Sequence, residues 1–335
     1  MIGALNQDSL VTLLLCSNLH TKALEEENYK PFTLPQWNSL AVKIANSALK
    51  KPASLLNADK DFLQKELALN EEEGLRLDFL LKQGANLAFE LEKLTRLGIK
   101  VTTRSEENYP KRLRALLKAY SPTILYYSGD IELSNRDYVA IVGSRDIDDQ
   151  GLNFARDLTK SAIKEGLGVV SGGAKGVDSI SESSCLDHGG HVISFVSDSL
   201  SNKIKNQSIR NAIMEGRLLI MSAVSPYERF FAYNAMDRNK CVYALAQLAV
   251  VVASGADKGG TWSGAVENLK KKWVPLYVRD EMGVPEGNEK LLQQGGKGLS
   301  NKDLQRESFS FKQLIESYEQ TKPKEYVQMD LFSLE

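Results

Sequence analysis

The feature that most constrains this chain is a rhythm that begins near Gly98. Short runs rich in β-branched and apolar residues, at 124–127, 138–142, 167–170, 191–195, 218–221, 248–252 and 274–278, alternate with amphipathic stretches near 150–165, 177–188, 205–215, 234–246 and 263–272. Strand and helix repeated in this order fold as a parallel sheet, because each parallel pair needs a crossover that returns the chain to the same end. The run Leu248-Ala249-Val250-Val251-Val252 has no polar alternation, as expected of a strand covered on both faces. The expected fold class is therefore α/β: a Rossmann-like, doubly wound, mostly parallel sheet.

Residues 1–98 read differently. They are rich in leucine, alanine, lysine and glutamate and lack glycine-rich turns. Helices are expected at 35–49, 57–69 and 71–97. Thr33 can cap the first, and Pro35 sits in its first turn, where a missing N–H does no harm. In the third, Leu77, Leu80, Leu87, Leu91 and Leu94 recur largely at helical spacing, while Gly74 and Gly84 interrupt it. A small N-terminal all-helical domain (1–98) is thus expected before the sheet domain (99–316), which closes with a helix at 311–320. After about Ser300 the chain is polar, Lys322-Pro323-Lys324 breaks that helix, and 317–335 reads as a flexible tail.

Composition narrows the setting. The chain is 42% hydrophobic and 25% charged, the balance of a folded globular protein rather than a disordered one. No apolar run reaches the roughly 18 residues needed to cross a bilayer. The first residues lack a basic leader and a small-residue cleavage site. The three cysteines, Cys16, Cys185 and Cys241, are far apart, which supports neither a disulfide framework nor a zinc site. A cytoplasmic protein without membrane contact is expected. A formal net charge of -1 argues against a coat of positive charge but leaves room for a local basic pocket. His20, His188 and His191 do not compose a hydrolase triad, and no paired carboxylates resemble a two-metal centre. Binding without catalysis, metal or cofactor is the expectation.

Three glycine-bearing loops each follow a strand and open a helix. In Ile141-Val142-Gly143-Ser144-Arg145, glycine allows a tight turn, the next N–H groups can face an anion, and Arg145 offers a fork of donors. An ordinary turn with a solvated arginine would read the same. In Ser171-Gly172-Gly173-Ala174-Lys175-Gly176-Val177-Asp178, bare backbone invites close approach of a phosphate, Lys175 supplies charge, and Asp178 sits in the first helical turn. The Gly-Lys-Ser/Thr ending of a Walker loop is missing. The third loop runs from Ser254 through Gly259-Gly260 to Gly264. Three such loops should converge on one edge of one sheet. Arg238-Asn239-Lys240 adds phosphate and base donors, preceded by Phe230, Phe231 and Tyr233. Each of these rings could stack a base, but each taken singly is expected in the core.

These residues resemble the DprA/Smf family of DNA-processing proteins. Tyr109-Pro110 with Pro122, Tyr126 and Gly129 is similar to its opening signature, Val142-Gly143-Ser144-Arg145 and residues 171–178 to its central motifs. Gly189-Gly190, Arg238-Asn239-Lys240, Asn288 and Gly295-Gly296 continue the match, over about 99–298. Glu182 stands where the family usually has histidine, and Lys240 where it has a second arginine. The resemblance implies single-stranded DNA binding, protection of that DNA and delivery to a recombinase of the RecA type, often as a homodimer, in natural transformation or in a phage-defence or mobile-element setting. It places Gly143, Ser144, Arg145, Ser171, Gly172, Gly173, Lys175, Gly176, Arg238, Asn239 and Lys240 in the DNA pocket. The tail sequence Gln328-Met329-Asp330-Leu331-Phe332 resembles the pentapeptide that binds the bacterial sliding clamp, where a Leu-Phe pair enters an apolar pocket. Two rival readings use the same pocket. One is a nucleotide-binding glycosidase of the Lonely Guy group, from a loose likeness at Lys258-Gly259-Gly260-Thr261 with Glu267; the other is a nucleotide-ligand sensor.

Overall fold

The computed structural model describes residues 5–19 and 29–321. Among the described residues five α-helices come first: α1 (Gln7–Cys16), α2 (Leu34–Asn46), α3 (Lys60–Glu66), α4 (Glu71–Leu81) and α5 (Gly84–Arg96). The starts of the first four are fixed by side chains that accept otherwise unpaired N–H groups. Asn6 Oδ1 accepts from Ser9 N at 2.7 Å. Asn70 and Glu73 accept reciprocally from each other's backbone at 2.9 and 3.0 Å. The stretch expected as one helix over 71–97 is two helices, broken at Lys82-Gln83. The sequence pattern misses α1 altogether.

A nine-stranded sheet follows, in the order β1-β2-β6-β5-β4-β3-β7-β8-β9. Its strands are β1 (Lys100–Thr103), β2 (Ile124–Ser128), β3 (Tyr138–Val142), β4 (Gly168–Ser171), β5 (Val192–Val196), β6 (Leu218–Ser222), β7 (Leu248–Val251), β8 (Leu276–Arg279) and β9 (Lys297–Leu299). From β6 through to β9 all neighbours are parallel; β1 and β2 pair antiparallel at one edge. The doubly wound α/β expectation is met. The short β1 and β9 went unread because Lys-Val-Thr-Thr and Lys-Gly-Leu carry too little apolar pattern.

The helices of this part are α6 (Lys111–Leu117), α7 (Asp149–Lys164), α8 (Val177–Asp187), α9 (Leu200–Lys203), α10 (Gln207–Met214), α11 (Ala232–Leu245), α12 (Gly260–Lys271), α13 (Glu286–Gln293), α14 (Asn301–Leu304) and α15 (Phe311–Thr321). Alternation along β3 divides them between two layers. Val139 and Ile141 face a core with Phe154 and Leu158 of α7, Val177 of α8 and Phe311 of α15. Tyr138 and Ala140 face Leu113 of α6, Tyr243 and Leu245 of α11 and Trp262 of α12. The first core also takes Leu13 and Leu14 of α1 and Leu87 and Leu94 of α5. Val11 and Leu15 of α1 face the other way, into a helical core around Trp37, Leu40 and Ile44. Helix α1 thus joins the helical layer to the sheet. No helix among the described residues is long and apolar enough to cross a membrane.

The winding positions the site. From β3 the chain steps outward through β4, β5 and β6, then returns to the far side of β3 as β7. Loops leaving β3, β4 and β7 therefore diverge around one point at the carboxyl edge of the sheet, which opens a crevice there.

Candidate nucleic-acid interface

The loop after β3 touches both of its neighbours. Ser144 N donates to Ala253 O, beyond β7, at 2.9 Å, and Val177 N, at the start of α8, donates to Ser144 O at 3.3 Å. A Cβ on Gly143 would strike the Val177 side chain, and one on Gly176 would strike Ser144 O. Gly176 also has φ +78°, a conformation that an L side chain resists. The three glycine-bearing loops do converge: Gly143 makes room for the Val177 side chain, and Gly176 permits close backbone contact with the loop after β3.

The second loop uses its N–H groups inwardly. Asp178 Oδ2 accepts from Gly172 N (3.2 Å) and Ala174 N (3.4 Å). Glu182 Oε1 accepts from Gly173 N and from Ser194 Oγ, both at 3.0 Å. Lys203 Nζ donates to Gly173 O at 3.1 Å. The N–H groups of Gly172 and Gly173, expected to cradle a phosphate, are therefore already held by carboxylates of this chain. Ser171 is likewise committed, its buried hydroxyl donating to Ile141 O at 2.7 Å.

A cation lies on this loop. The Arg238 guanidinium rests where a Cβ of Gly172 would be. Its Nε is buried without a hydrogen-bond partner among the described residues. Burial lowers the Arg238 pKa, opposed by the charges of Asp178 and Glu182. Burial likewise raises the Asp178 carboxyl, opposed by Arg238 and the loop N–H groups. Glu182 is pushed up to about 7, first by burial and then by the charge of Asp178, against its hydrogen bonds to Ser194 and Gly173 and the nearby Lys203. Gly172 has no side chain, which is what lets the arginine approach the backbone above two acids.

Arg145 and Lys175 stand exposed at the mouth. The Arg145 guanidinium lies 5.0 Å from the centre of the Phe230 ring, and that of Arg229 lies 5.1 Å from the Phe231 ring. Phe231 stacks on Tyr233 with ring centres 5.2 Å apart. The expectation that these rings are core is overturned: Phe230 is 47% and Tyr233 65% exposed, and Phe231 is half-buried. They precede or begin α11, whose buried residues are confined to its last turns, Cys241 to Leu245. Phe230 and Arg229 border a cleft of about 540 Å³ with Asp198, Ser199, Asn202 and Lys203, room enough for a nucleotide-sized group. Lys203, Arg229 and Asp198 were not singled out in the sequence. Lys203 ends α9, the short helix that follows β5 at the same edge.

Arg238-Asn239-Lys240 does not act as one group. Asn239 Nδ2 donates to Gly260 O at 2.8 Å, which ties α11 to the start of α12. Lys240, two positions from Arg238 on a helix, projects to the opposite side and pairs with Asp237 Oδ1 at 2.5 Å. Glu267, which the glycosidase reading joins to Lys258-Gly259-Gly260-Thr261, borders the cleft on Lys240's side of α11. His191 lies at the opposite end of β5, 3.1 Å from Arg136. Among the described residues no group of three or more His, Cys, Asp or Glu could hold a metal ion. Gln328, Met329, Asp330, Leu331 and Phe332 lie outside the described residues.

Fold and edge chemistry define a class: a doubly wound α/β protein whose switch point carries cations and exposed rings where other such sheets hold nucleotides. The family model for DNA recombination-mediator protein A matches residues 100–309, and the chain belongs to that family. It is 27% identical over 219 residues to DNA processing protein DprA of Streptococcus pneumoniae, covering 64% of this chain and 73% of that one. It is 29% identical over 233 residues to Protein Smf of Synechocystis, covering 65% and 55%. The crystal structure of the S. pneumoniae protein superposes with a TM-score of 0.65 at 18% identity, over 88% of this chain and 99% of that one. A structure of DNA processing protein A from Helicobacter pylori, described for its single-stranded DNA binding mode, matches with a TM-score of 0.51 at 26% identity, over 66% and 96%.

Proposed function

We propose that this protein binds single-stranded DNA at the switch point, shields it there and hands it to a recombinase of the RecA type, as a homodimer. The observation that carries the reading is the row of rings formed by the exposed Phe230 and Tyr233 and the half-buried Phe231 between them, set against Arg145 and Arg229 beside the glycine loops. A single strand offers phosphates and bare base faces together, and such a row meets both. A duplex hides its base faces inside the stack. Because the second loop commits its N–H groups inward, phosphate neutralisation falls to the side chains of Arg145, Lys175, Lys203 and Arg238. The likeness to the H. pylori protein, described for its single-stranded DNA binding mode, supports single-strand binding.

The test is fluorescence anisotropy with a labelled single-stranded oligonucleotide and its duplex across a salt series. Preference for the single strand, weakening steeply with salt, is the expected result. No binding at low salt would overturn the reading and move attention to small nucleotides in the same crevice. For residues 328–332 we propose sliding-clamp binding. Replacing Leu331 and Phe332 with alanine should abolish clamp capture and leave oligonucleotide binding intact; a wild-type protein that never captures the clamp would refute it.

A further inference from the structure

Lys240 leads away from the switch point. It borders a second cleft, of about 880 Å³, between α6, the turn Lys118–Tyr120 and α12. The floor is apolar, with Leu116, Leu117 and Trp273. The rim carries Lys118, Lys240, Lys271 and Lys272 against Asp237 and Glu267. Asp237 pairs with Lys240, while Lys118, Lys271 and Lys272 are exposed and form no ion pair among the described residues. Tyr120 is 64% exposed, and Lys271 Nζ lies 5.4 Å from the centre of its ring.

This cleft is continuous with the rings at the crevice. A groove that begins at Tyr233 and Asn234 also takes in Asp237, Lys240 and Tyr120, the last three of which border the second cleft as well. Tyr233 in turn stacks on Phe231, beneath Arg229. Cations and rings therefore stand side by side from Arg145 and Phe230, through Arg229 and the stacked Phe231 and Tyr233, to Lys240, Tyr120 and Lys271. A single strand pairs phosphate with base in the same way at every nucleotide. An acidic peptide would answer the lysines but has no use for exposed rings at each step.

We propose that the cleft between α6 and α12 is a second binding segment for the same single strand. Lys240, Lys271 and Lys272 take phosphates, and Tyr120 takes a base over the apolar floor. The inference rests on the proposed single-strand reading and extends it from a pocket to a track running along both sides of α11.

The experiment measures anisotropy of the full chain with oligothymidylates of about 6 and about 20 nucleotides, short and long relative to known single-strand sites. Wild type is compared with the double variant Lys271→Glu, Lys272→Glu and with Tyr120→Ala, all at exposed side chains that leave the core untouched. The short strand should bind all three proteins alike. The long strand should bind the double variant about tenfold and the tyrosine variant about fivefold more weakly than wild type. If both variants hold the long strand as tightly as wild type while the short strand still binds, the track is wrong and the switch-point reading stands. If neither length binds wild type, both fall together. If polyglutamate displaces the long strand from wild type and loses as much affinity to Tyr120→Ala as the strand does, the cleft is a peptide site and the proposal is overturned.

Discussion

The loops after β3 and β4 pack on each other and turn their cations outward, whereas the loop after β7 is laced down from behind. In the first pair, Gly143 makes room for the Val177 side chain and Gly176 lets backbones touch, Asp178 and Glu182 hold the N–H groups from beneath, and Arg145 and Lys175 are left at the mouth. In the third loop, Ser254 N donates to the fully buried Asn288 at 2.9 Å, and the Asn288 amide donates on to Val252 O and Arg279 O at 3.1 and 3.0 Å. Gly260 O is taken by Asn239, and Asp257 by Lys290. The same residue type serves two ends. Near β3 and β4, glycine brings chains together so that charge can be displayed; after β7, Gly287 lets α13 lie against Ser254, and the loop's polar groups are spent on the fold.

The sharpest break in this comparison comes from the glycines. Gly176→Ala combines a left-handed φ with a collision against backbone, and should cost about 3 kcal/mol in denaturant unfolding. Gly255→Ala has nothing closer than 3.7 Å to meet and should cost under about 0.5 kcal/mol. Next comes Asn288→Ala, which strips three buried hydrogen bonds. It should cost about 2 kcal/mol, while the folded fraction binds single strands within about twofold of wild type. Equal losses of binding in Asn288→Ala and Gly176→Ala would erase the distinction between the two regions. Charge reversal follows. Arg145→Glu should weaken single-strand binding about tenfold and lower the salt slope by about one, whereas Lys258→Glu in the third loop should change little.

The smallest effect concerns pH. The Glu182 carboxyl, raised from its ordinary 4.5 to about 7, holds a proton in the folded protein that the unfolded chain has lost across that interval. Its contribution to stability is therefore present at low pH and is lost as pH rises through about 7. On the same proton uptake, one negative charge disappears beneath Gly173, amid Asp178, Lys203 and Arg238. Single-strand binding should tighten severalfold from about pH 8 to about pH 6. Glu182→Gln, which can still accept from Gly173 N and Ser194 Oγ, should flatten both profiles; an unchanged pH profile in that variant would remove Glu182 as the titrating group.

The sheet was largely legible because its central strands are unbroken apolar runs between glycine turns, as at Leu248 to Val251 and Tyr138 to Val142. The convergence of the loops followed from that order alone. What escaped was anything decided by direction rather than by type. Phe230 and Tyr233 resemble core residues in type, and only the path of the chain into the first turn of α11 leaves them outside. Arg238 and Lys240 look like neighbours in sequence but face opposite sides of a helix. Asp178 could be placed in the first turn of α8, yet its capture of Gly172 N depends on a loop path that local sequence does not encode. Lys203 arrives from a different crossover, and nothing near it marks the destination.

The position of β3 has a consequence for how the molecule is made. Val139 pairs with Val169 on one side and with Leu248 on the other, so the middle strand waits for a partner synthesised long after it. Contacts so distant in sequence are slow to form and cannot form early. Ser144 N reaches its acceptor only at Ala253. On the ribosome, then, the loop after β3 cannot make this bond until residue 253 has emerged from the exit tunnel, and a nascent chain stopped short of that point would carry Gly143 to Arg145 without the contact that anchors them to the far side of the sheet.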